Sequence, residues 1–194
     1  GKVTTWGYDL GSGWWNFLAS DMAAMQGLSF YTDATKSVMN NDPAMRDIWK
    51  YWARWFVEGL IPNVLNPAPS WAGANFQSDR VAIVQLGYWY GAQLRTNPGF
   101  EAKYGWAPTP TVVKGGTRVT DTLGATGVVM YAKTKVPDQA FKVFEWYMGG
   151  AYGQERAKTG WGIPPLKSLV PLLPEENSFD KARKTIALDD AKYF

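Results

Sequence analysis

The sequence predicts an α/β protein that is mostly helical and contains a short mixed sheet. Runs of β-branched and other apolar residues mark three candidate strands, at 3–9, 81–86 and 128–132. The longer segments between them carry apolar residues at three- and four-residue spacing, which is typical of amphipathic helices. With 194 residues, of which 46% are hydrophobic, the chain can bury a substantial core in one large domain or two small ones.

Composition excludes several kinds of functional site. The chain has no cysteine and no histidine, so it cannot form a disulfide, a thiolate or histidine metal site, or a Ser-His-Asp triad. Its net charge of +3 comes from 20 basic and 17 acidic residues that are interspersed, which argues against a nucleic-acid surface or a polybasic membrane patch. No apolar run approaches the roughly 20 residues that are needed to cross a bilayer.

The first helix is predicted to end at Gly27, and two adjacent tryptophans lie at its start. Ser12 or Gly13 can begin this helix. Because neighbouring helical residues point about 100° apart, Trp14 and Trp15 cannot both face one core. We therefore expect one of them to pack inside and the other to lie at a surface or cleft. The alternative is that both are partly buried at a domain seam.

The clearest helix begins after Asp42 and ends at Gly59. Asp42 is a good N-cap, Pro43 suits the first helical position, and glycine is favoured just beyond a helix end. The apolar residues of this helix share one face: Met45, Ile48, Trp49, Trp52, Trp55 and Phe56. We interpret that face as core scaffold rather than as a ligand platform.

The stretch 71–91 contains the central candidate for a binding site. A stiff, proline-rich connector leads to Trp71 and is typical of a segment that runs along a cleft edge. The second candidate strand ends at Gly87 and is followed by three consecutive aromatic residues, beginning with Tyr88 and Trp89, where α/β folds present ligands. The alternative for Trp89 is ordinary core packing.

The C-terminal half is predicted to add a strand and further helices. Glycines before the buried strand 128–132 allow a ligand or another strand to approach closely. A long helix follows from Pro137 to Gly149, with these residues facing inward: Ala140, Val143, Phe144, Tyr147 and Met148. Trp161 lies in a constrained glycine- and proline-rich turn. A last helix begins near Ser178 and is still in progress at residue 194, so we expect the chain to be a fragment of a longer protein.

Five segments carry a family pattern in the right order, and a sixth, 58–62, precedes them. They are 76–83 (Phe-x-x-Gly-x-x-Ala-Met), 87–89 (Gly-x-Trp), 124–130 (a small-residue strand), 135–141 (a Lys-x-x-x-x-x-Ala-Phe helix start) and 160–164 (a Gly-x-x-Pro turn). Together they resemble the extracellular solute-binding proteins of ATP-driven importers, in the sugar-binding group that includes maltose-binding protein. The resemblance covers nearly the whole chain, but Asp79 replaces the glycine of the first motif and the N-terminal lobe has no counterpart.

The resemblance implies a lobe of the type II periplasmic-binding-protein fold, truncated relative to its two-lobed parent. Residues 1–120 would belong to the large, C-terminal lobe. Residues 121–160 would form a crossover strand and helix related to the other lobe, and residues 161–194 a truncated return segment.

The function that the resemblance implies is capture without chemistry. Such a protein closes on a sugar or oligosaccharide in an aromatic-lined cleft and delivers it to the membrane permease of the importer. It would be a periplasmic or surface-anchored monomer that needs no cofactor, metal or nucleic acid. Trp89 would stack on a pyranose ring, and the further binding residues would be Trp14 or Trp15, Trp71, Tyr88 and Trp161, with Asp121, Gly124 and Ala125 at the crossover.

Three alternatives remain open at the level of sequence. A glycoside hydrolase would need two paired carboxylates, and the spacing of Asp9, Glu58, Asp79 and Asp121 does not pair any of them. A polyamine or metal-ion binder of the same fold could use Tyr88 and Tyr90 as an aromatic box or as tyrosinate ligands. A structural module would bury the tryptophans as core and bind nothing.

Overall fold

The helices and strands of the chain belong to two structural units. The structure, a computed structural model, describes residues 3–10, 15–33, 36–37, 42–112, 116, 118–119 and 127–193, and for residues 15–18, 32–33 and 37 it describes the backbone only. The first unit comprises Gly1–Leu86, Thr109–Thr122 and Asp190–Phe194, and the second comprises Gly87–Pro108 and Leu123–Asp189. The lobe boundaries implied by the family resemblance stay a prediction.

The described elements confirm a mostly helical α/β protein. In chain order they are β1 (Trp6–Asp9), α1 (Trp15–Met25), β2 (Tyr31–Asp33), β3 (Lys36–Ser37), α2 (Pro43–Val57), α3 (Ala72–Gln77), β4 (Val81–Val84), α4 (Tyr90–Leu94), α5 (Phe100–Lys103), α6 (Pro137–Met148), α7 (Ala151–Thr159), a 3-10 helix (Lys167–Leu172) and α8 (Ser178–Asp190). None of these helices is both long enough and apolar enough to cross a membrane.

The first unit contains two small sheets. Strands β1 and β4 pair in parallel, with Trp6 opposite Val81 and Asp9 opposite Val84. Strands β2 and β3 form an antiparallel pair. Trp6 and Val81, which lie opposite each other, are buried, whereas Ile83, two residues further on the same face of β4, is exposed, so only the start of the parallel pair is covered on that face. Both predicted strands of the first unit therefore form, although the second ends at Val84 rather than at residue 86.

Helices α1 and α2 build the core of the first unit, and their ends lie where capping residues were predicted. Asp42 accepts hydrogen bonds from the backbone of the first turn of α2. At the other end Gly59 adopts φ +70°, and Leu60 N–H donates to the carbonyl of Trp55, which gives a Schellman cap. The buried residues of this core are Ala19, Ala23, Met45 and Ile48, with Trp49 and Trp52 packed against them.

The turn between α3 and β4 forms although it lacks the glycine of the family motif. Asp79 adopts φ +60°, in the left-handed region that glycine prefers. Arg80 N–H donates to the carbonyl of Asn75 and Asp79 N–H to that of Phe76, so the turn is a Schellman cap with aspartate in the strained position.

Two substitutions at residue 79 should show how much the left-handed backbone conformation there costs in stability. We expect Asp79→Val to lower the free energy of unfolding by about 1–2 kcal/mol, because a β-branched residue tolerates the left-handed region poorly. We expect Asp79→Gly to be neutral or to raise the free energy by up to about 1 kcal/mol, since relief of strain is partly offset by a more flexible unfolded chain. Urea titration measures both, and equal stability of the valine and glycine variants would contradict the assignment.

The second unit is helical in all of its described elements. Its buried hydrophobic residues come from α4, α7, the 3-10 helix, α8 and the chain just after α5 and just after the 3-10 helix: Tyr90, Leu94, Tyr104, Ala157, Leu169, Leu173 and Phe179. Phe179 of α8 packs edge-on against Phe100 with ring centroids 5.2 Å apart. Helix α8 ends at Asp190, so the prediction that it continues to residue 194 is wrong.

Two predictions for the C-terminal half are wrong. Residues 127–132 form no strand, and Val129 is 94% exposed, because no described strand pairs with this segment. Helix α6 has the predicted span but buries none of its residues, and Val143 and Tyr147 are exposed rather than inward. Its rings stack on local neighbours instead, Phe141 on Phe144 and Tyr147 on Tyr152.

Candidate functional site

Two of the predicted ligand-binding aromatics, Trp89 and Trp161, lie next to each other in the second unit. Their ring centroids are 5.9 Å apart and the ring planes are tilted by 51°. Trp161 is 44% exposed and Trp89 is half-buried, so each indole keeps surface that a ligand can reach. We call these two residues the tryptophan pair.

The backbone before α4 determines where Trp89 lies. Residues 87–92 form tight turns, in which Tyr90 N–H donates to the carbonyl of Gly87 at 2.9 Å and Gly91 N–H to that of Tyr88 at 3.2 Å. A Cβ atom on Gly87 would lie 2.7 Å from Nε1 of Trp89. The indole is therefore folded back over Gly87, and any side chain at residue 87 would displace it.

The C-terminal cap of α7 determines where Trp161 lies. Gly160 adopts φ +69°, Trp161 N–H donates to the carbonyl of Arg156, and Gly160 N–H donates to that of Ala157. This Schellman cap ends the helix and turns Trp161 out of it. The Arg156 guanidinium donates back to the Trp161 carbonyl at 3.3 Å, which holds the turn from its other side.

Tyr88 is covered on one face by an arginine that the sequence did not point to. The Arg183 guanidinium lies 4.5 Å from the centroid of the Tyr88 ring. Burial raises the pKa of Tyr88 above its ordinary value, and the positive charge of Arg183 partly opposes this shift. Burial also raises the pKa of Tyr90, which is almost fully enclosed. Both phenols are therefore neutral at physiological pH.

Of the other predicted binding residues, Trp71 and Trp15 lie in the described part of the chain and the rest lie outside it. Trp71 is 44% exposed and occupies the N-cap position of α3 in the first unit, without a side-chain capping hydrogen bond. Trp15 begins α1, and its side chain is not described. The remaining predicted residues lie outside the described part of the chain: Trp14, Asp121, Gly124 and Ala125.

The first unit contains a cavity that the sequence analysis missed. It has a volume of about 410 Å³ and is lined by Thr5, Trp6, Gly7, Tyr8, Trp55, Gly59 and Leu60. Tyr8 and Trp55 meet edge-on in its wall, with centroids 5.4 Å apart. Trp55, predicted on the core face of α2, packs against the buried Leu10 and Ile61 and is half-buried, so it borders both the core and this cavity. Among the described residues, no three acidic side chains are grouped so that they could hold a metal ion.

Two solved structures resemble the chain over nearly its whole length, whereas no protein-family model and no curated protein sequence matches it. An ABC substrate-binding protein from Listeria monocytogenes, solved in complex with cycloalternan, is 14% identical with a TM-score of 0.64, and the match covers 98% of this chain and 47% of that chain. A candidate oligosaccharide periplasmic-binding protein from Synechococcus sp. MITs9220 is 18% identical with a TM-score of 0.61, covering 97% and 49%.

Both matches are likenesses of fold, and both structures are described as binding proteins. This chain spans about half the length of each of them. The periplasmic-binding-protein fold that the sequence motifs predicted is thereby confirmed. The chain therefore has the fold of ABC substrate-binding proteins over about half of their length.

Proposed function

We propose that this chain is part of the substrate-binding component of an ATP-driven importer, which captures a sugar or oligosaccharide and delivers it to a membrane permease. The observation that carries the proposal is the tryptophan pair, two accessible indoles 5.9 Å apart in a fold shared with oligosaccharide-binding proteins. A pyranose ring has flat C–H faces that pack on aromatic planes, and its hydroxyl groups need fixed polar partners.

The surroundings of Tyr88 favour a neutral ligand over a cation or a metal ion. An aromatic box binds a cation through the face of its rings, but Arg183 already occupies one face of Tyr88. Tyrosinate ligation would require phenols that ionise easily, and burial raises the pKa of both Tyr88 and Tyr90. These observations support the carbohydrate proposal over the polyamine and metal-ion alternatives.

The proposed role is binding without bond cleavage, in a monomer that works in the periplasm or at the cell surface. In this proposal Trp89 and Trp161 form the stacking platform for the sugar. The other residues named from the sequence stay candidates for ligand contacts: Trp71, Trp14 or Trp15, Asp121, Gly124 and Ala125. Closure of a two-lobed binding protein on its ligand requires no acid/base pair.

The test is an isothermal calorimetric titration of the full-length protein with neutral oligosaccharides, including cycloalternan and maltotriose. We expect saturable binding with no release of reducing ends. Trp89→Ala should weaken affinity about tenfold to hundredfold, because it removes one stacking face worth on the order of 1–3 kcal/mol. Formation of reducing ends by the wild-type protein would overturn the binding proposal.

The matched control is Trp146→Ala. Trp146 is also an exposed tryptophan of the second unit, but it stacks on Tyr152, with centroids 4.8 Å apart, and not on either indole of the tryptophan pair. We expect this variant to keep wild-type affinity. If both variants lose affinity equally, the tryptophan pair is not the platform.

A further inference from the structure

We propose that Arg183 is a positioning residue for the tryptophan pair, because its buried guanidinium fills the space between the two backbone segments that carry Trp89 and Trp161. The inference rests on the proposed function in one respect: the pair is taken to be the surface on which the ligand stacks. The role of Arg183 in fixing the two indoles is a separate claim that can be measured without a ligand.

The guanidinium touches two bare stretches of backbone at once. A Cβ atom on Gly91 would lie 2.0 Å from Nη1 of Arg183, and a Cβ atom on Gly160 would lie 2.1 Å from Nη2. Real Cβ atoms never approach other heavy atoms so closely, so both positions accept Arg183 only because they are glycine. Gly91 follows Trp89 by two residues, and Gly160 directly precedes Trp161.

The contacts of Arg183 indicate that its guanidinium acts by filling space and not by making hydrogen bonds. The residue is 0% exposed, and its guanidinium faces Tyr88 and Asp180 without a hydrogen bond of normal geometry to either. It is held by the ring of Tyr88 at 4.5 Å, by the ring of Phe179 at 5.9 Å and by the carboxylate of Asp180 at 3.7 Å. Tyr88 directly precedes Trp89, so this stacking also ties α8 to the segment that carries that tryptophan.

If the side chain at residue 183 only had to fill buried space, an apolar residue would do so equally well. Replacing both partners of a buried ion pair with apolar residues of similar volume is often neutral or stabilising, so stability alone does not account for the buried Arg183–Asp180 pair. A flat, rigid guanidinium differs from such a side chain in shape, since it fills a thin space with backbone on both edges. The geometry therefore points to a role in setting the distance and tilt of the two indoles.

The test uses circular dichroism of the full-length protein without ligand. Two indoles 5.9 Å apart and tilted by 51° couple their ultraviolet transitions, and the resulting couplet is isolated by subtracting the spectrum of Trp161→Phe. We expect Arg183→Met to lose most of this couplet and about tenfold in affinity for the oligosaccharide that binds the wild-type protein. Where Arg183→Met does not fold, Arg183→Lys carries the test, because it keeps the charge and the aliphatic stem but lacks the flat fork.

The matched control is Lys184→Met, which changes the next residue of α8. Lys184 is also buried and charged, but it pairs with Glu175 at 2.9 Å, and the three atoms nearest to a Cβ on Gly91 or on Gly160 do not include any from Lys184. We expect this variant to keep the couplet even where it loses stability. A folded Arg183 variant with an unchanged couplet would overturn the proposal. If the couplet is lost but the wild-type protein binds no saccharide, Arg183 positions the pair and the proposed function is wrong.

Discussion

Replacement of Asp180 with alanine should lower the free energy of unfolding by about 3–5 kcal/mol, because it leaves buried positive charge without a carboxylate. Asp180 is 0% exposed, and its side-chain oxygens lie 3.1 Å from Nη1 of Arg95 and 3.7 Å from Nη2 of Arg183. The Asn177 side chain also donates to it at 2.9 Å. Arg95 keeps an ion pair with the exposed Glu176, but Arg183 has no second carboxylate among its described ion-pair partners. Urea titration followed by circular dichroism measures the change.

The control for this prediction is an ion pair of similar length at the surface. Asp47 pairs with Lys50 at 3.1 Å one helical turn away, and both side chains are more than 70% exposed. We expect Asp47→Ala to change the free energy of unfolding by no more than about 0.5 kcal/mol, since water screens this pair. A loss below about 1 kcal/mol for Asp180→Ala would contradict the prediction, because it would show that the stability of the fold does not depend on the carboxylate beside the buried Arg183.

The elements that the sequence predicted best are those whose signals are local. Helix α2 begins after Asp42 and ends before Gly59 because both caps act on backbone groups within one turn. The same holds for α1, which ends ahead of Gly27 at φ +70°. Such signals depend only on neighbouring residues, so they can be predicted before the fold is known.

The predictions that failed depend on what covers a segment. Residues 128–132 have the composition of a buried strand, but a strand exists only where another strand accepts its hydrogen bonds. Residue spacing places the apolar side chains of α6 on one side of the helix, but periodicity does not show whether another element packs on that side. Exposed residues such as Val129 and Val143 are the result.

The candidate site was predictable in part. Trp89 and Trp161 were both named from aromatic residues beside glycines, and the structure brings them together. Arg183 was missed because a buried arginine has no local signature, and a charged residue in a helix is usually taken for a solvated one. The signal that could have found it lies in two glycines, Gly91 and Gly160, because a Cβ atom at either position would meet the guanidinium.

A second buried polar group, the side chain of Asn75, joins three parts of the first unit. Asn75 is 1% exposed, and its amide oxygen accepts from Ser70 N–H at 3.1 Å. Its amide nitrogen donates to the Ser70 carbonyl and, at 3.2 Å, to the carboxylate of Asp9 in β1. One side chain of α3 thus holds both the connector before Trp71 and the end of the parallel strand pair.

We expect Asn75→Ala to lower the free energy of unfolding by about 2–4 kcal/mol, because it removes three hydrogen bonds made by a buried amide, one of them to the buried carboxylate of Asp9. Asn63→Ala is the matched control. Asn63 also makes three side-chain hydrogen bonds, to Phe56, Leu65 and Asn66, but it is only half-buried. Its loss should cost about 1 kcal/mol, since water can reach the groups that it leaves. Urea titration of the two variants compares them, and equal losses would show that burial of the Asn75 amide adds nothing to its hydrogen bonds.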